Sequence, residues 1–143
     1  MSRSGYSDDY DFDQWSLIMY RGAVAAATKG ARGQALLRDL LEALDKLPER
    51  KLIANELEED GAVCALGALG KVRGLDMTEL DPEDADKVAA TFGIAPALAR
   101  EIVFMNDDFA YSETPEQRFA RMREWVASQI KNPSLPSTDR QEK

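Results

Sequence analysis

Apolar side chains recur at helical spacing along most of this chain, which predicts a mainly helical fold. The clearest helix is predicted from about Gln34 to Leu47, because charged residues occupy the opposite face and Pro48 follows the last turn. Its apolar stripe consists of Leu37, Leu40, Leu41 and Leu44. We expect this stripe to be buried.

The first helix is predicted from about Asp13 to Thr28, with a break in residues 29–33. Gly22 lies on its apolar face, where the missing side chain would let another helix approach closely. The other members of this stripe are Trp15, Ile18, Met19, Ala23 and Ala26. We expect this face to pack against the rest of the protein.

Residues 51–63 are ambiguous. In one interpretation residues 51–57 form a strand, Asp60-Gly61 forms a turn and residues 62–63 form a short return strand. The alternative is a helical turn followed by a loop. In either case a helix follows from about Val63 to Val72, and Gly74 ends it.

Cap signals predict the helices of the second half. Asp81 as N-cap with Pro82 at the first position predicts a helix that Gly93 ends. Another runs from Pro96 to about Met105. We expect the residues that follow it, Asn106 and Asp107 among them, to form a structural loop.

The last helix begins after Thr114, which has capping-box spacing to Gln117. Its predicted buried stripe is Phe119, Met122, Val126 and Ile130, with Trp125 at the edge. The expected fold is therefore all-α, a compact single-domain helical bundle over residues 13–131, with one small two-stranded β element near residues 51–63. We expect residues 1–12 to be disordered or loosely docked and residues 132–143 to form a disordered tail.

Composition narrows the function. The chain has 143 residues and a net charge of −8, and it contains no histidine and one cysteine. Without histidine the usual general base and the commonest metal ligand are missing, so we predict no enzyme, no cofactor and no metal. No apolar run approaches the roughly 20 residues of a membrane span, and we expect the N-terminus not to act as a secretory signal.

Cys64 precedes small and aliphatic residues and has no histidine to activate it as a nucleophile. A nearby helix N-terminus would lower the pKa of its thiol. Free cysteines are nevertheless among the most buried residues in proteins, and the neighbours of Cys64 read as helix packing. We expect Cys64 to be a core residue.

Acidic residues gather in two groups that are candidates for binding a partner. The first group is Glu56, Glu58 and Glu59; the second is Asp76, Glu79, Asp81, Glu83 and Asp84. Such groups attract basic proteins, but solvated surface and helix N-termini also explain them. The overall charge does not favour nucleic acid.

Residues 82–104 resemble a helix-turn-helix, with Ala89 and Gly93 at packing positions, which suggests a DNA-binding regulator as the alternative function. The second helix offers only Arg100, beside Glu101, for contacts with bases or phosphates.

The pattern Cys-x-Leu-Gly-x-Leu at residues 64–69, followed by Asn106-Asp107 and an amphipathic helix, resembles a family of small uncharacterised phage and prophage proteins. The resemblance covers about residues 60–126 and implies a phage or prophage origin, but no activity. We expect a non-enzymatic accessory protein in the bacterial cytoplasm. It would bind a host or phage protein with a basic surface, for example to inhibit a defence or gene-expression component.

Overall fold

The computed structural model describes residues 7–108 and 112–131, with side chains from Gln14 onward. Within these residues the chain forms six helices and one two-stranded sheet, so the predicted mainly helical fold with a small β element is confirmed. The helices are α1 (Ser7–Lys29), α2 (Ala31–Asp45), α3 (Ala65–Arg73), α4 (Ala85–Phe92), α5 (Pro96–Asp107) and α6 (Pro115–Gln129). The strands are β1 (Glu58–Glu59) and β2 (Ala62–Val63).

The core forms around α2, which packs against α3 on one side and α6 on the other. Of the stripe predicted for α2, Leu37, Leu40 and Leu44 are buried and Leu41 is partly buried. The stripe predicted for α6 is buried as expected, and Trp125 packs at its edge. Burying each large aliphatic side chain stabilises the fold by roughly 1.5–3 kcal/mol.

The two strands form an antiparallel hairpin in which Glu58 pairs with Val63 and Glu59 with Ala62. Asp60 and Gly61 have φ angles of 53° and 87°, as the two central residues of a type I′ turn require. The turn was predicted correctly, but the strand predicted over residues 51–57 does not form. Asn55 has a φ of 74°, and this left-handed conformation interrupts extended backbone.

α4 begins three residues later than predicted. Its N-cap is Asp84, whose Oδ1 accepts a hydrogen bond from the backbone N–H of Lys87 at 3.2 Å. Asp81, the predicted N-cap, accepts from the N–H of Glu83 at 2.9 Å and closes a separate turn. Aspartate is a preferred N-cap residue, so the sequence allows either position to begin the helix. The path of the preceding loop decides between them. Gly93 ends the helix at a φ of 75°, as expected.

α1 starts at Ser7 instead of near Asp13, so residues 7–12, expected to be disordered or loosely docked, are helical. Residues 1–6 and the predicted tail at 132–143 lie outside the described residues.

The prediction that the stripe of α1 is buried is wrong. Trp15, Ile18 and Met19 are 59%, 61% and 56% exposed. α1 packs instead through the face that carries Tyr20, Val24, Ala27 and Thr28. Nearly every residue from 17 to 27 is apolar or small, so two faces of this helix compete for burial and its periodicity does not choose between them.

No single helix in the described part of the chain is long and apolar enough to cross a membrane. α4 and α5 together reach that length and composition, but they form a bent pair whose axes turn by 106°.

Candidate functional site

The residues of the Cys…Asn-Asp pattern come together at the N-terminus of α3, where they form a buried contact that we call the Asn106 clasp. Asn106 lies on α5 and is 1% exposed. Its side-chain Oδ1 accepts a hydrogen bond from the N–H of Ala65 at 3.1 Å, and its Nδ2 donates to the carbonyl of Ile53 at 2.9 Å. One side chain therefore joins α5 to the start of α3 and to the segment before the hairpin.

Asn106 was expected to belong to the loop after α5, but it lies inside the helix, which ends at Asp107. Its Nδ2 also donates to Asp107 Oδ1 at 2.7 Å. Both polar atoms of the Asn106 side chain are thus occupied by protein groups, which is what a buried amide requires.

Cys64 is the N-cap of α3. Its Sγ accepts a hydrogen bond from the N–H of Gly67 at 3.4 Å, and the side chain is 5% exposed, which confirms that it is a core residue. Burial raises the pKa of the Cys64 thiol to about 12, because the thiolate loses its solvation; the bond from Gly67 opposes this effect and is the weaker of the two. The backbone N–H groups at the N-terminus of α3 do lower the pKa of this thiol, but the effect of burial is larger.

Gly67 lies so close to the backbone of Leu57 that the clasp has no room for a side chain at this position. A Cβ on Gly67 would lie 1.8 Å from the carbonyl oxygen of Leu57, so any side chain would force the backbone apart. The N–H of Cys64 donates to that same carbonyl at 3.1 Å. The small residues of this motif are thus explained by close packing.

Two arginines of α6 extend the clasp. Arg118 donates to the carbonyls of Asn106 at 3.0 Å and Leu52 at 3.2 Å. Arg121 donates to the carbonyl of Met105 at 2.6 Å and to Glu113 Oε1 at 2.8 Å. The hydrogen bond from Arg121 lowers the pKa of the Glu113 carboxyl. Both arginines thus bind carbonyls in the last turn of α5.

The two acid groups lie at opposite ends of α3. Glu56, Glu58 and Glu59 precede its N-terminus on or beside the hairpin, and the second group follows its C-cap, Gly74. α3 has nine residues and is therefore about 13 Å long. Both groups flank the same short helix.

Three of the eight candidate acids have a local structural use. Asp76 accepts from the N–H of Thr78 at 3.0 Å, and hydrogen bonds from Thr78 lower the pKa of its carboxyl. Asp81 and Asp84 hold the turns described above. Glu58 lies 3.7 Å from Lys71 Nζ in an exposed pair.

The other four candidate acids are different. They are exposed, and no ion pair or hydrogen bond involves their carboxylates among the residues that the structure describes. They are Glu56, Glu59, Glu79 and Glu83.

The helix pair α4 and α5 has the shape that the sequence suggested. A three-residue turn joins the two helices, and their axes turn by 106°, within the range of a helix-turn-helix. α1, however, packs along α5, and Tyr20 donates to Glu101 Oε1 at 3.2 Å. The side chains of α5 beside this contact, Arg100 and Phe104, line a groove of about 940 Å³ between α1, α5 and the end of α6.

This groove was not predicted from the sequence. Its rim holds four bases, Arg21, Lys29, Arg100 and Lys131, although the protein as a whole is acidic. Phe104, one turn after Arg100 on α5, is 44% exposed beside it, which the sequence does not reveal.

Compared with models of known protein families, with curated proteins and with solved structures, the chain matches none of them.

Proposed function

We propose that this protein is a non-enzymatic binding protein that recognises a basic surface on another protein through the acids around α3. The observation that carries the proposal is that Glu56, Glu59, Glu79 and Glu83 are exposed and unpaired among the described residues. Carboxylates that already hold an ion pair or a cap have part of their charge compensated. These four keep theirs available for a partner.

The arrangement suits electrostatic steering. Charges of one sign spread over two nearby sites produce a field that raises the rate of encounter with an oppositely charged partner. The two acid groups flank α3 in the chain, and this helix is about 13 Å long.

The clasp supports a non-enzymatic role. Cys64 and Asn106 are the residues on which a catalytic proposal would depend, and both are buried with their polar atoms occupied. A thiol whose pKa is near 12 is protonated at neutral pH and is a poor nucleophile.

The phage or prophage origin follows only from the resemblance of residues 60–126 to that family, and with it the cytoplasm of a bacterial host. In this setting the acid groups would occupy a surface of a host protein that otherwise binds nucleic acid. Inhibition of a defence or gene-expression component is the specific form that we propose.

The test compares two variants with equal net charge. In the first, Glu56, Glu59, Glu79 and Glu83 are changed to Gln. In the control, four exposed acids elsewhere are changed to the matching amides: Glu42, Glu49, Asp108 and Glu124. Partners are captured from a host lysate with the wild-type protein, and their association rates with all three proteins are measured from low to high salt.

We expect the first variant to associate at least about tenfold more slowly at low salt, with the difference shrinking as salt screens the charges. The control variant should associate nearly as fast as the wild type. Equal rates for both variants would show that the acids only keep the protein soluble.

A DNA-binding regulator remains the second candidate, because the 106° turn between α4 and α5 fits it. A gel shift with random duplex DNA at physiological salt distinguishes the two. We expect no shift, because phosphate affinity needs clustered bases and α5 exposes Arg100 beside the partly buried Glu101. A shift that Arg100→Ala weakens would favour the regulator.

A further inference from the structure

The groove between α1, α5 and the end of α6 combines an apolar lining with positive charge. Its volume of about 940 Å³ lies within the range of about 300–1,000 Å³ that is usual for sites that bind small organic molecules. Its apolar lining consists of Leu17, Val24, Ala25, Phe104 and Ile130. Leu17 and Phe104 are 47% and 44% exposed, so large apolar side chains are accessible to a ligand in the groove.

Hydrogen bonds fix the walls of the groove to each other at two places. Toward one end, the Tyr20 hydroxyl of α1 donates to Glu101 Oε1 of α5 at 3.2 Å. Toward the other end, the buried side chain of Gln34 donates to the carbonyls of Thr28 at 2.7 Å and Gln129 at 3.0 Å, which joins α1 to α6. The groove is therefore preformed, and a ligand can bind without ordering its walls first.

Two arginines bring positive charge to the groove from opposite walls. Arg21 lies next to Tyr20 on α1, and Arg100 lies next to Glu101 on α5. Because Tyr20 and Glu101 are hydrogen-bonded, the two arginines come to the same part of the groove. Both are exposed, and neither guanidinium forms an ion pair or a hydrogen bond within the described part of the chain. Their charge is therefore available to an anion.

The other two bases of the groove differ from the arginines because they have a local use. Lys29 lies in the last turn of α1, and Lys131 follows Ile130, the C-cap of α6. Bases at these positions offset the negative end of the helix dipole. Arg21 and Arg100 lie inside their helices, and neither has an acid three or four residues away with which to pair. The two arginines are therefore the better candidates for binding a ligand.

Charge and length together select the class of ligand. With a net charge of −8 the protein repels polyanions such as nucleic acids, whereas a molecule with a single negative charge is repelled much less. The wall that α1 contributes runs from Leu17 to Lys29 and is about 18 Å long. The acyl chain of a lipid spans about 15 Å, which is half of the hydrocarbon core of a bilayer. An apolar chain of this length with one anionic head group fits the groove.

We propose that this groove binds one long-chain fatty acid. Its carboxylate lies between the guanidinium groups of Arg21 and Arg100, which match a carboxylate in geometry as well as in charge. Its acyl chain follows Val24 and Phe104 toward Ile130. The site shares no residue with the acid groups around α3, so its test does not depend on the proposed partner.

The first test compares two molecules with the same alkyl chain and opposite charge on the full-length wild-type protein. Dodecanoate and dodecyltrimethylammonium are titrated below the concentrations at which they form micelles, and calorimetry measures their binding. We expect one dodecanoate per chain, bound at least about tenfold more tightly than the cation, although the net charge of −8 favours cations. Acetate, which has the head group without the chain, should show no measurable binding.

Two outcomes of this test would overturn the proposal. The first is that dodecanoate shows no saturable binding, as expected if an acidic helix of a partner protein or residues 132–143 of this chain occupy the groove instead. The second is that the cation binds as tightly as dodecanoate or more tightly. Neither outcome depends on whether a variant folds.

The second test places the carboxylate with two double variants of equal net charge. Arg21→Gln with Arg100→Gln should weaken dodecanoate binding at least about tenfold, because both charge-assisted hydrogen bonds are lost. The control is Lys46→Gln with Lys87→Gln, which removes two exposed bases that do not line the groove. It should change the dissociation constant by less than about twofold. Equal effects of the two double variants would overturn the assignment of the carboxylate to the arginines.

The third test places the acyl chain. Phe104→Ser removes an apolar side chain from the groove and should weaken dodecanoate binding at least about fivefold. The matched control is Val72→Ser on α3, because Val72 is 54% exposed and does not line the groove. It should change the dissociation constant by less than about twofold. A Phe104→Ser variant that binds dodecanoate as tightly as the wild type would overturn the proposed path of the chain.

Discussion

The Asn106 clasp and the outer face of α1 use their residues in opposite ways. In the clasp, Asn106 is 1% exposed, and protein groups within about 3 Å bind both polar atoms of its side chain. On the outer face of α1, Trp15, Ile18 and Met19 are between 56% and 61% exposed. The clasp holds the rarer residues of the sequence, and the face of α1 holds ordinary apolar ones.

The difference shows that a conspicuous motif can have a purely structural use while an ordinary stripe is left available for binding. Cys64, Gly67 and Asn106 satisfy one another and the backbone, so they have no capacity left for a ligand. Gly22 looks like the glycines of the core from sequence, but a Cβ at this position would meet no atom within 4 Å among the described residues. Unexplained residues are therefore the better guide to function in this protein.

The largest effect is expected from Asn106→Leu. This change leaves the N–H of Ala65 and the carbonyl of Ile53 buried without partners, and each unsatisfied group costs about 1–3 kcal/mol. We expect the free energy of unfolding to fall by about 4 kcal/mol, measured by urea denaturation at a dilution where the protein is monomeric. A loss below about 1 kcal/mol would mean that water replaces the clasp.

The second prediction compares the same substitution at two glycines. Gly67→Ala places a Cβ against Leu57 and should destabilise the fold by about 2–3 kcal/mol. Gly22→Ala adds a methyl group in open space on a helix and should stabilise the monomer by about 1 kcal/mol. Thermal unfolding of both variants shows whether each substitution stabilises or destabilises the fold. The same sign at both positions would refute the contrast between the two regions.

The third prediction concerns pH and Cys64. The ordinary pKa of the thiol is 9.0 and burial raises it to about 12, so the unfolded chain loses this proton first. The contribution of the buried, protonated thiol to the free energy of unfolding is therefore complete below pH 9. It is lost as the pH rises toward 12, at about 1.4 kcal/mol per pH unit.

The control for this slope is Cys64→Ser, which keeps an acceptor for the N–H of Gly67 but does not titrate in this range. We expect the free energy of unfolding of the wild type to fall more steeply between pH 9 and pH 10 than that of the variant. Other titrating groups contribute equally to both proteins. Parallel slopes would indicate that the thiol is accessible to solvent.

The smallest effect is expected from Ile18→Ser on the outer face of α1. Because Ile18 is 61% exposed, its loss should change the stability of the monomer by less than about 0.5 kcal/mol. Urea denaturation of the dilute protein measures this. A loss of 2 kcal/mol or more, as for a buried isoleucine, would show that this face is covered within one chain.

Much of the fold could be predicted from the sequence because its signals are local. The capping box of Thr114 and Gln117, the left-handed glycines Gly74 and Gly93 and the Asp60-Gly61 turn each depend on a few neighbouring residues. The stripe of α6 was also predicted correctly, since only one of its faces is apolar. Burial of Cys64 followed from its apolar neighbours and the absence of histidine.

Where two local solutions were equally good, only the tertiary structure decided. Asp81 and Asp84 can both cap a helix, and the loop from Gly74 placed the start of α4 at the second. Both faces of α1 are apolar, and the contact with α5 and α2 selected the one with Tyr20 and Val24. The role of Asn106 depends on Ile53, which is 53 residues away in sequence, and no local pattern carries that information. Propensity and periodicity act over a few residues, whereas the choice between equivalent faces depends on contacts between distant segments of the chain.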